Sequence, residues 1–322
     1  MRDNRYIYIE NDFLDVYSSF ALEYYLTSEK TFPDNIVFLI WRTTPTVMVG
    51  KFQNTYAEIN GRYVKENDIT VVRRMSGGGT IFTDLGGWQF SFIAPAQAQE
   101  ISFKEYTEPI IEVLKSLGVE AYFDGRNDIM VNGKNGWVRT DKIIEEKEQT
   151  DNSENNENGF VVHHGSLLYS TDFDMLERST VSNEKKLNSK GVKSVREYVG
   201  NISDYFTQPL SITEFRDRII EKFINDSSQV VSLTQKDFER IEEIAAQKFA
   251  DWESIYGRNP EFDIVRQDRC RGGDVCCSLN VKQGRITEIS ITGNFFGNQD
   301  MDKIEEALTD CPYEYNSVRQ KL

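Results

Sequence analysis

The spacing of hydrophobic residues changes several times along the chain and predicts helices and strands in a mixed order. Apolar residues at helical spacing predict a first helix over 13–25, and the same spacing returns over 108–117, where Gly118 is placed to end the helix. Between them, β-branched and aromatic runs bounded by Gly, Pro and Asn predict four strands. These strands span residues 35–41, 46–49, 69–73 and 88–93.

The third quarter of the chain contains two more helices with recognisable starts. Ser211 and Glu214 have the spacing of a capping box, and Thr234 has the position of the cap of a second helix, which carries Phe238 on its apolar side. Strands mixed with a few helices, without regular strand–helix alternation, predict the α+β class.

After Trp252 the hydrophobic period falls to two, which predicts a hairpin followed by a helix. Such a compact unit can bury its own apolar face. We therefore predict a domain boundary near residue 246, with a large domain over 1–245 and a small one over 246–322. In the small domain, the predicted strands span 277–281 and 286–291, with a turn at 283–284 between them, and the predicted helix spans 302–308.

Composition narrows the class of protein. Hydrophobic residues make up 39% and charged residues 28% of the 322 positions, which is typical of a globular protein. The 52 acids outnumber the 37 basic residues and give a net charge of −15, so binding to nucleic acid through a basic surface is not expected. Long apolar windows are absent and the N-terminus is polar, which predicts no membrane span and a cytoplasmic location.

One segment has the composition of a solvated insertion. Residues 145–158 are rich in acids and asparagines and contain no aliphatic or aromatic residue. Such a segment cannot offset its ordering entropy by burying apolar surface, so we expect a mobile surface loop. The alternative is a regulated lid.

The most specific local pattern is a pair of arginines followed by three consecutive glycines. Arg73 and Arg74 come directly after a β-branched run, and Ser76, the glycines 77–79 and Thr80 follow. Bare backbone lets a ligand approach the N–H groups closely, while arginine and hydroxyl groups bind anions. A phosphate or carboxylate site and a flexible turn beside surface arginines are both compatible with this pattern.

Two further segments carry polar groups at predicted strands. Asn127 and Asp128 stand at the mouth of a strand, where they could bind magnesium or a substrate amine, or form an ordinary turn. His163 and His164 are neighbours on a strand and face opposite sides, which argues against a metal pair. We interpret them as one buried structural histidine and one ligand contact.

The order and spacing of these motifs resemble the lipoate–protein ligase family over nearly the whole chain, from about residue 5 to the C-terminus. The resemblance implies a biotin/lipoate-ligase-like α+β catalytic domain with a mixed sheet, and a small α+β C-terminal domain. The motifs that carry it are GKFQN (50–54) after a strand that bears Trp41, RRMSGGGTIFTD (73–84), RNDIMVNGK (126–134), HHGSLL (163–168), KGVKSVR (190–196), and WESIYGRNP (252–260) with ITGNFF (291–296) in the tail.

The resemblance also implies an activity. Ligases of this family activate lipoate with ATP, in the presence of Mg²⁺, to lipoyl-AMP, and then transfer the lipoyl group to a lysine of an acceptor domain in the 2-oxoacid dehydrogenase or glycine cleavage systems. The implied ligand-binding residues are Trp41 at the acyl tail; Arg74, Ser76, Gly77, Gly78, Gly79, Thr80, Ile81 and Phe82 around the acyl adenylate; Asn127 and Asp128 at the phosphate, with Asp128 as the candidate Mg²⁺ ligand; and His164 as a ligand contact.

The chain departs from the family pattern at the residue that bridges carboxylate and phosphate. Asn135 stands where the family usually has a second lysine, and Lys134 and Lys142 are the competing candidates for its charge. Thr83, Gly87 and Ser166 stand where histidine, asparagine and threonine are usual. These departures leave open a second function, a catalytically impaired relative that binds lipoate or lipoylated protein without activating it.

A third function, acyl transfer between carrier proteins, requires a cysteine nucleophile in the catalytic domain. All four cysteines lie after residue 246, at positions 270, 276, 277 and 311. We therefore do not favour this function.

A basic cluster suggests where an acceptor would dock. Acceptor domains of this family tend to be acidic, so a ligase of charge −15 needs a locally basic docking surface. Segment 185–196 contains Lys185, Lys186, Lys190, Lys193 and Arg196, and we expect docking there and away from 145–158. The alternative is that these side chains form a solvated face without a docking role.

Overall fold

The structure is a computed structural model. It describes residues 6–95, 103–123, 128–131, 134–145, 159–181, 199–226, 229–257, 264–270, 272–282, 285–295, 300–313 and 315–322. The strands are β1 (Tyr6–Ile9), β2 (Ile36–Trp41), β3 (Thr46–Val49), β4 (Thr70–Arg73), β5 (Ile81–Thr83), β6 (Gly87–Pro95), β7 (Ala121–Phe123), β8 (Asp128–Val131), β9 (Lys134–Glu145), β10 (Phe160–Leu168), β11 (Val230–Val231), β12 (Ile264–Cys270), β13 (Gly273–Lys282) and β14 (Arg285–Gly293). The helices are α1 (Val16–Ser28), α2 (Thr55–Glu58), α3 (Gly61–Glu66), α4 (Phe103–Ser116), α5 (Phe173–Ser179), α6 (Ile212–Phe223), α7 (Gln235–Ile244), α8 (Met301–Leu308) and α9 (Tyr315–Lys321).

The large domain is organised around an eight-stranded mixed sheet. Its strand order is β11-β1-β2-β6-β10-β9-β8-β7, and a three-stranded sheet with the order β4-β3-β5 packs on one of its faces. Strands β1 and β2 are parallel, whereas β2, β6, β10 and β9 pair antiparallel in succession. This arrangement is α+β, as the sequence predicts.

One face of the large sheet is covered by α4 and α6 and forms an aromatic core. Phe38, Phe90 and Phe92 contribute from the sheet, and Tyr106 contributes from α4. Gly165 is required here, since a Cβ at this position would lie only 2.0 Å from the Phe90 ring. The glycine after the two histidines thus serves packing on this face.

The opposite face is covered by α1, α7 and the small sheet. Helix α1 is buried over most of its circumference, and the Tyr17 hydroxyl donates to the carbonyl of Val71 on the small sheet, 3.1 Å away. The helix begins at Val16 because the Asp15 side chain accepts hydrogen bonds from the N–H groups of Tyr17 and Ser18. The prediction that it begins at 13 is wrong, and Phe13 instead packs on Phe238 from outside the helix.

The helices of the second half begin where their caps predict. Ser211 with Glu214, and Thr234 with Asp237, both form complete capping boxes. Gly118 adopts φ +82° after α4, which few residues other than glycine tolerate. Phe238, on the apolar side of α7, packs on Phe13 and remains 37% exposed.

The small domain is a three-stranded antiparallel sheet, β12-β13-β14, packed with α8 and α9. Strands β13 and β14 confirm the two predicted runs. The sequence analysis missed β12, because most of its residues are exposed and its sequence lacks apolar alternation.

The boundary near 246 stays a prediction, as nothing tests it directly. Residues 245–249 continue α7 as a π-helical turn, and Phe249 packs in the core beneath α1.

No helix in the described part of the chain is both long and apolar enough to cross a membrane. The cytoplasmic location stays a prediction, and residues 146–158 of the acidic insertion lie outside the described residues.

Candidate functional site

The site begins where two parallel strands of the small sheet end. Strands β3 and β4 pair in parallel from Thr46 with Thr70 to Val49 with Arg73, so their carboxyl ends lie at one edge of the sheet. The loop 50–55 and the loop 74–80 therefore leave the sheet side by side. We refer to the second as the glycine loop.

The glycine loop is folded onto its own arginine and serine. Arg74 is only 3% exposed, and its Nη2 donates to the carbonyl of Gly79 at 2.5 Å. Gly78 has φ +92°, which requires glycine. The Ser76 side chain is 1% exposed, and its Oγ has no hydrogen-bond partner among the described residues. A buried hydroxyl of this kind is a suitable contact for a ligand oxygen.

The loop 50–55 supports the glycine loop from beneath. The N–H of Lys51 donates to the carbonyl of Ser76 at 2.7 Å, and the Thr80 Oγ1 lies 3.0 Å from Gln53 Oε1. Gly50 abuts the glycine loop so closely that a Cβ there would lie 2.2 Å from the Gly78 carbonyl oxygen. The loop 50–55 thus sets the shape of the glycine loop, which is the candidate anion-binding site. The sequence connected the two loops only through the family motifs.

The two adjacent arginines have different environments. Arg74 belongs to the glycine loop, whereas Arg73 is the last residue of β4 and donates to carbonyls of the loop 50–55 and to those of Ser254 and Ile255. Of the pair that the sequence offers as anion ligands, Arg74 is the one placed at the candidate site.

A small crevice that contains a buried polar pair lies next to the glycine loop, on the same side of the large sheet. His164 Nε2 is 2.8 Å from the Glu23 carboxylate, and Glu23 also accepts a hydrogen bond from Ser91. Trp41 is 2% exposed, and its Nε1 donates to Ser91 Oγ at 3.3 Å. Met75 of the glycine loop lines this crevice, together with Phe20, Val162 and Phe249.

The two histidines are divided between the faces of the sheet, as alternation predicts. His163 is 2% exposed, and its ring lies 5.1 Å from the Tyr106 ring in the aromatic core. His164 lies in the crevice and stacks on Phe20 at 6.4 Å. The buried histidine of the predicted pair is thus His163, and a ligand contact for His164 stays a prediction.

A row of polar residues crosses the large sheet beside the crevice. Gln89 pairs in register with Trp41 on β2 and with Ser166 on β10. Its side chain accepts from Ser166 Oγ at 2.5 Å and donates to Thr83 Oγ1 at 2.8 Å. Thr83 and Ser166, two departures from the family pattern, are therefore joined through one buried glutamine.

Strand register places the residues of β8 and β9 relative to this row. Residue 139 is opposite both Ser166 and residue 128. Directly opposed residues of a sheet share a face, so positions 128 and 139 belong to the face of the glycine loop. Residue 142 is opposite His163, and residue 134 is opposite Val131. The side chains of His163 and Val131 lie on the side of the aromatic core. Positions 134 and 142 thus belong to the other face.

The remaining predicted residues are distributed as follows. Ile81 packs toward the crevice side, whereas Phe82 points into an outer core with Val47 and Ile255. The structure therefore does not bring Phe82 together with the glycine loop. Asn127 lies outside the described residues.

Asp84 stabilises the turn after β5 by accepting hydrogen bonds from the N–H groups of Gly86 and Asp172, and burial raises the pKa of its carboxyl.

No group of three His, Cys, Asp or Glu side chains able to hold a metal ion occurs within the described ranges.

The structure also reveals residues that sequence analysis missed, namely Glu23, Gln89 and Ser91. Glu23 stands three residues after Phe20, on the buried stripe of α1, and an acid on such a stripe is the signal that could have identified it.

The sequence matches two family descriptions. "Lipoyl protein ligase A/B catalytic domain" matches residues 15–224, and "Bacterial lipoate protein ligase C-terminus" matches residues 259–322. The lipoate–protein ligase LplJ of Bacillus subtilis is 36% identical over 295 residues, which cover 90% of this chain and 85% of the relative. Lipoate–protein ligase 1 of Staphylococcus aureus is 34% identical over 97% of this chain and 92% of its own length.

Solved structures share the fold. LipL1 of P. falciparum in complex with lipoate matches with a TM-score of 0.79 at 20% identity, covering 98% of this chain and 93% of that one. A lipoate–protein ligase A bound with ATP matches with a TM-score of 0.62 at 23% identity, covering 79% of this chain and 98% of that one. These similarities confirm the ligase-like α+β fold that the motifs imply.

The close approach of the two loops gives a test of the site's architecture. We expect Gly50→Ala to lower the free energy of unfolding by about 2 kcal/mol, because the added methyl group must displace the backbone of Gly78. The matched control is Gly61→Ala at the first residue of α3, where a Cβ meets nothing within 4 Å. Urea unfolding of both variants measures the difference, and equal stabilities would show that the loops are not in contact.

Proposed function

The chain belongs to the lipoate–protein ligase family, and on that premise we propose that it activates lipoate with ATP and transfers the lipoyl group to a lysine of an acceptor protein. The relatives reported above carry the name of this activity, and none favours the impaired relative that binds without activating. The structural observation that supports the proposal most is that Met75 of the glycine loop lines the crevice that contains the Glu23–His164 pair.

The two halves of the site suit the two ends of lipoate. The crevice is lined by apolar and aromatic side chains around one buried polar pair, which matches the chemistry of an apolar acyl tail that ends in a polarisable ring. Its cavity is about 10 Å³, so these side chains must move apart for a tail to enter. Arg74 and the Ser76 hydroxyl lie at the glycine loop, where a carboxylate and phosphates would be bound. Met75 connects them, since it belongs to the loop and lines the crevice.

The chemistry of activation needs positive charge at this junction. A carboxylate oxygen of lipoate attacks the α-phosphorus of ATP, the bond to the β-phosphate oxygen breaks, and pyrophosphate leaves. Negative charge accumulates around the phosphorus, so a fixed guanidinium and backbone N–H groups stabilise the transition state. Arg74 is held in place by its bond to Gly79 and therefore reorganises little.

Magnesium would assist by neutralising the phosphates when it is bound. Mg²⁺ usually uses one or two protein carboxylates together with substrate phosphates and water. Asp128 is the candidate ligand, and its register position on the face of the glycine loop supports that assignment.

The first functional prediction concerns activation itself. ATP, Mg²⁺ and lipoate should give lipoyl-AMP and pyrophosphate, which a lipoate-dependent exchange of labelled pyrophosphate into ATP measures. Arg74→Gln should lower the exchange rate about a hundredfold, on the scale of losing one transition-state donor. Arg62→Gln, an exposed arginine that pairs with Glu66 on α3, is the matched control and should leave the rate unchanged.

The impaired-relative alternative predicts a different result. In that case lipoate binds to the purified protein, while no pyrophosphate exchange occurs at any concentration of ATP. Binding calorimetry with lipoate separates this outcome from a protein that is simply unfolded.

The second prediction concerns the charge that the family's missing lysine supplies. Lys134 and Lys142 remain the candidates from the sequence, and the register adds residue 139 as a third, because its position shares the face of the glycine loop. We expect one of Lys134→Ala, Lys142→Ala and Arg139→Gln to slow adenylation about a hundredfold, or about 3 kcal/mol in the barrier. Single-turnover formation of lipoyl-AMP measures it. Unchanged rates in all three variants would mean that Asn135 marks a real loss of the cation.

The third prediction concerns the acceptor. We propose that a lipoyl domain docks through the basic segment 185–196, which lies outside the described residues. The chain enters this region from Val181, whose N–H donates to the carbonyl of Glu58, and the carboxylate of Glu58 lies 3.0 Å from Thr80 of the glycine loop. Val181, the last described residue before this segment, is therefore linked through Glu58 to the glycine loop.

Charge reversal tests this docking surface. Lys186→Glu with Lys190→Glu should slow transfer to an acidic acceptor domain about tenfold at low salt, with the difference fading as salt screens the field. Adenylation should not change. Deleting residues 149–158 should leave adenylation intact and, if anything, raise the on-rate. A transfer rate and a salt dependence that are unaffected by the reversal would identify the segment as a solvated face.

A further inference from the structure

Arg73 is a buried arginine that the proposed chemistry does not use. It is 9% exposed and ends β4, one residue before the glycine loop. Its Nη1 donates to the carbonyls of Gly50, Lys51 and Gln53 at 3.1, 3.3 and 2.6 Å. One guanidinium nitrogen thus holds three carbonyl groups of the loop 50–55 close together.

The other two nitrogens of the same group bind a different part of the chain. Nε donates to the carbonyl of Ser254 at 3.0 Å, and Nη2 donates to the carbonyl of Ile255 at 3.0 Å and to Thr55 Oγ1 at 2.7 Å. The Thr55 hydroxyl in turn donates to Ile255 at 2.6 Å. Residues 254 and 255 precede the three-stranded sheet of the small domain, whose first described strand begins at Ile264.

The loop 50–55 connects these contacts to the ligand side. It donates to Ser76 through Lys51, and it lies against Gly78 through Gly50. It also meets the far end of the small domain, because the Phe52 ring stacks on Phe295 at 5.0 Å with an interplanar angle of 8°. The same short loop therefore touches the glycine loop, the connecting segment and the small domain.

We propose that Arg73 is a positioning residue that couples the glycine loop to residues 254–257, so that nucleotide binding and the placement of the segment leading into the small domain depend on each other. The inference rests on the proposed function for the identity of the nucleotide. A guanidinium presents five donors in a rigid planar fork, so a movement of its acceptors on one side changes the geometry available to the other side. Coupling between two sites is reciprocal in binding free energy.

Arg73→Lys is the direct test, because lysine keeps the charge and loses the fork. The variant should raise the KM for ATP about tenfold, within the usual range of coupling between sites, while kcat changes much less. Hydrogen exchange should become faster at both 50–55 and 254–257 and stay unchanged in the core of α4. In the wild type, ATP should slow exchange at 254–257, and this protection should disappear in Arg73→Lys. Arg62→Lys is the control and should change none of these quantities.

A second variant tests the coupling without any nucleotide. Thr55→Val keeps the shape of a fully buried side chain and removes the hydroxyl shared by Arg73 and Ile255. Faster exchange at the glycine loop 76–80, as well as at 254–257, supports the coupling even if the protein proves not to be a ligase. Exchange that changes only around 254–257, or an ATP KM that is unaffected by Arg73→Lys, overturns it.

Discussion

A loop whose three central residues have no side chains can be held only through its backbone, and the whole site depends on this constraint. Here the backbone is fixed from outside by the N–H of Lys51 on Ser76 and by the packing of Gly50 against Gly78, and from within by Arg74 on Gly79. The parallel pairing of β3 and β4 brings the supporting loop and the glycine loop to one edge of the sheet. The absence of side chains then leaves space for a ligand without leaving the loop free to collapse.

Beside this loop, the protein keeps buried polar groups on an otherwise apolar face. A carboxylate removed from water is unfavourable unless it is paired, and Glu23 is paired with His164 and Ser91. Trp41 donates to the same serine, so these polar groups form a connected network and not a set of separate side chains.

Sequence analysis predicted the local features well and the long-range contacts poorly. Hydrophobic runs located the central strands, and cap residues located the starts of α6 and α7, because both signals act over a few neighbouring positions. The role of Arg73 could not be predicted, because its partners at Ser254 and Ile255 are about 180 residues away in sequence. Strand β12 was missed because its residues are exposed, and Glu23 was missed because its partner lies on a distant strand. The family motifs indicated the candidate site but not the contacts that support it.

The central claim of the proposal is that the glycine loop and the crevice lined by Met75, Glu23 and His164 form one continuous site for an acyl adenylate. A crystal structure with a non-hydrolysable lipoyl-adenylate analogue tests it most directly. Our account predicts the phosphate surrogate at Arg74 and Ser76, with the acyl chain passing Met75 toward Trp41 and the Glu23–His164 pair. An analogue bound elsewhere, for example in the surface groove of about 550 Å³ between α3 and α5, would contradict it.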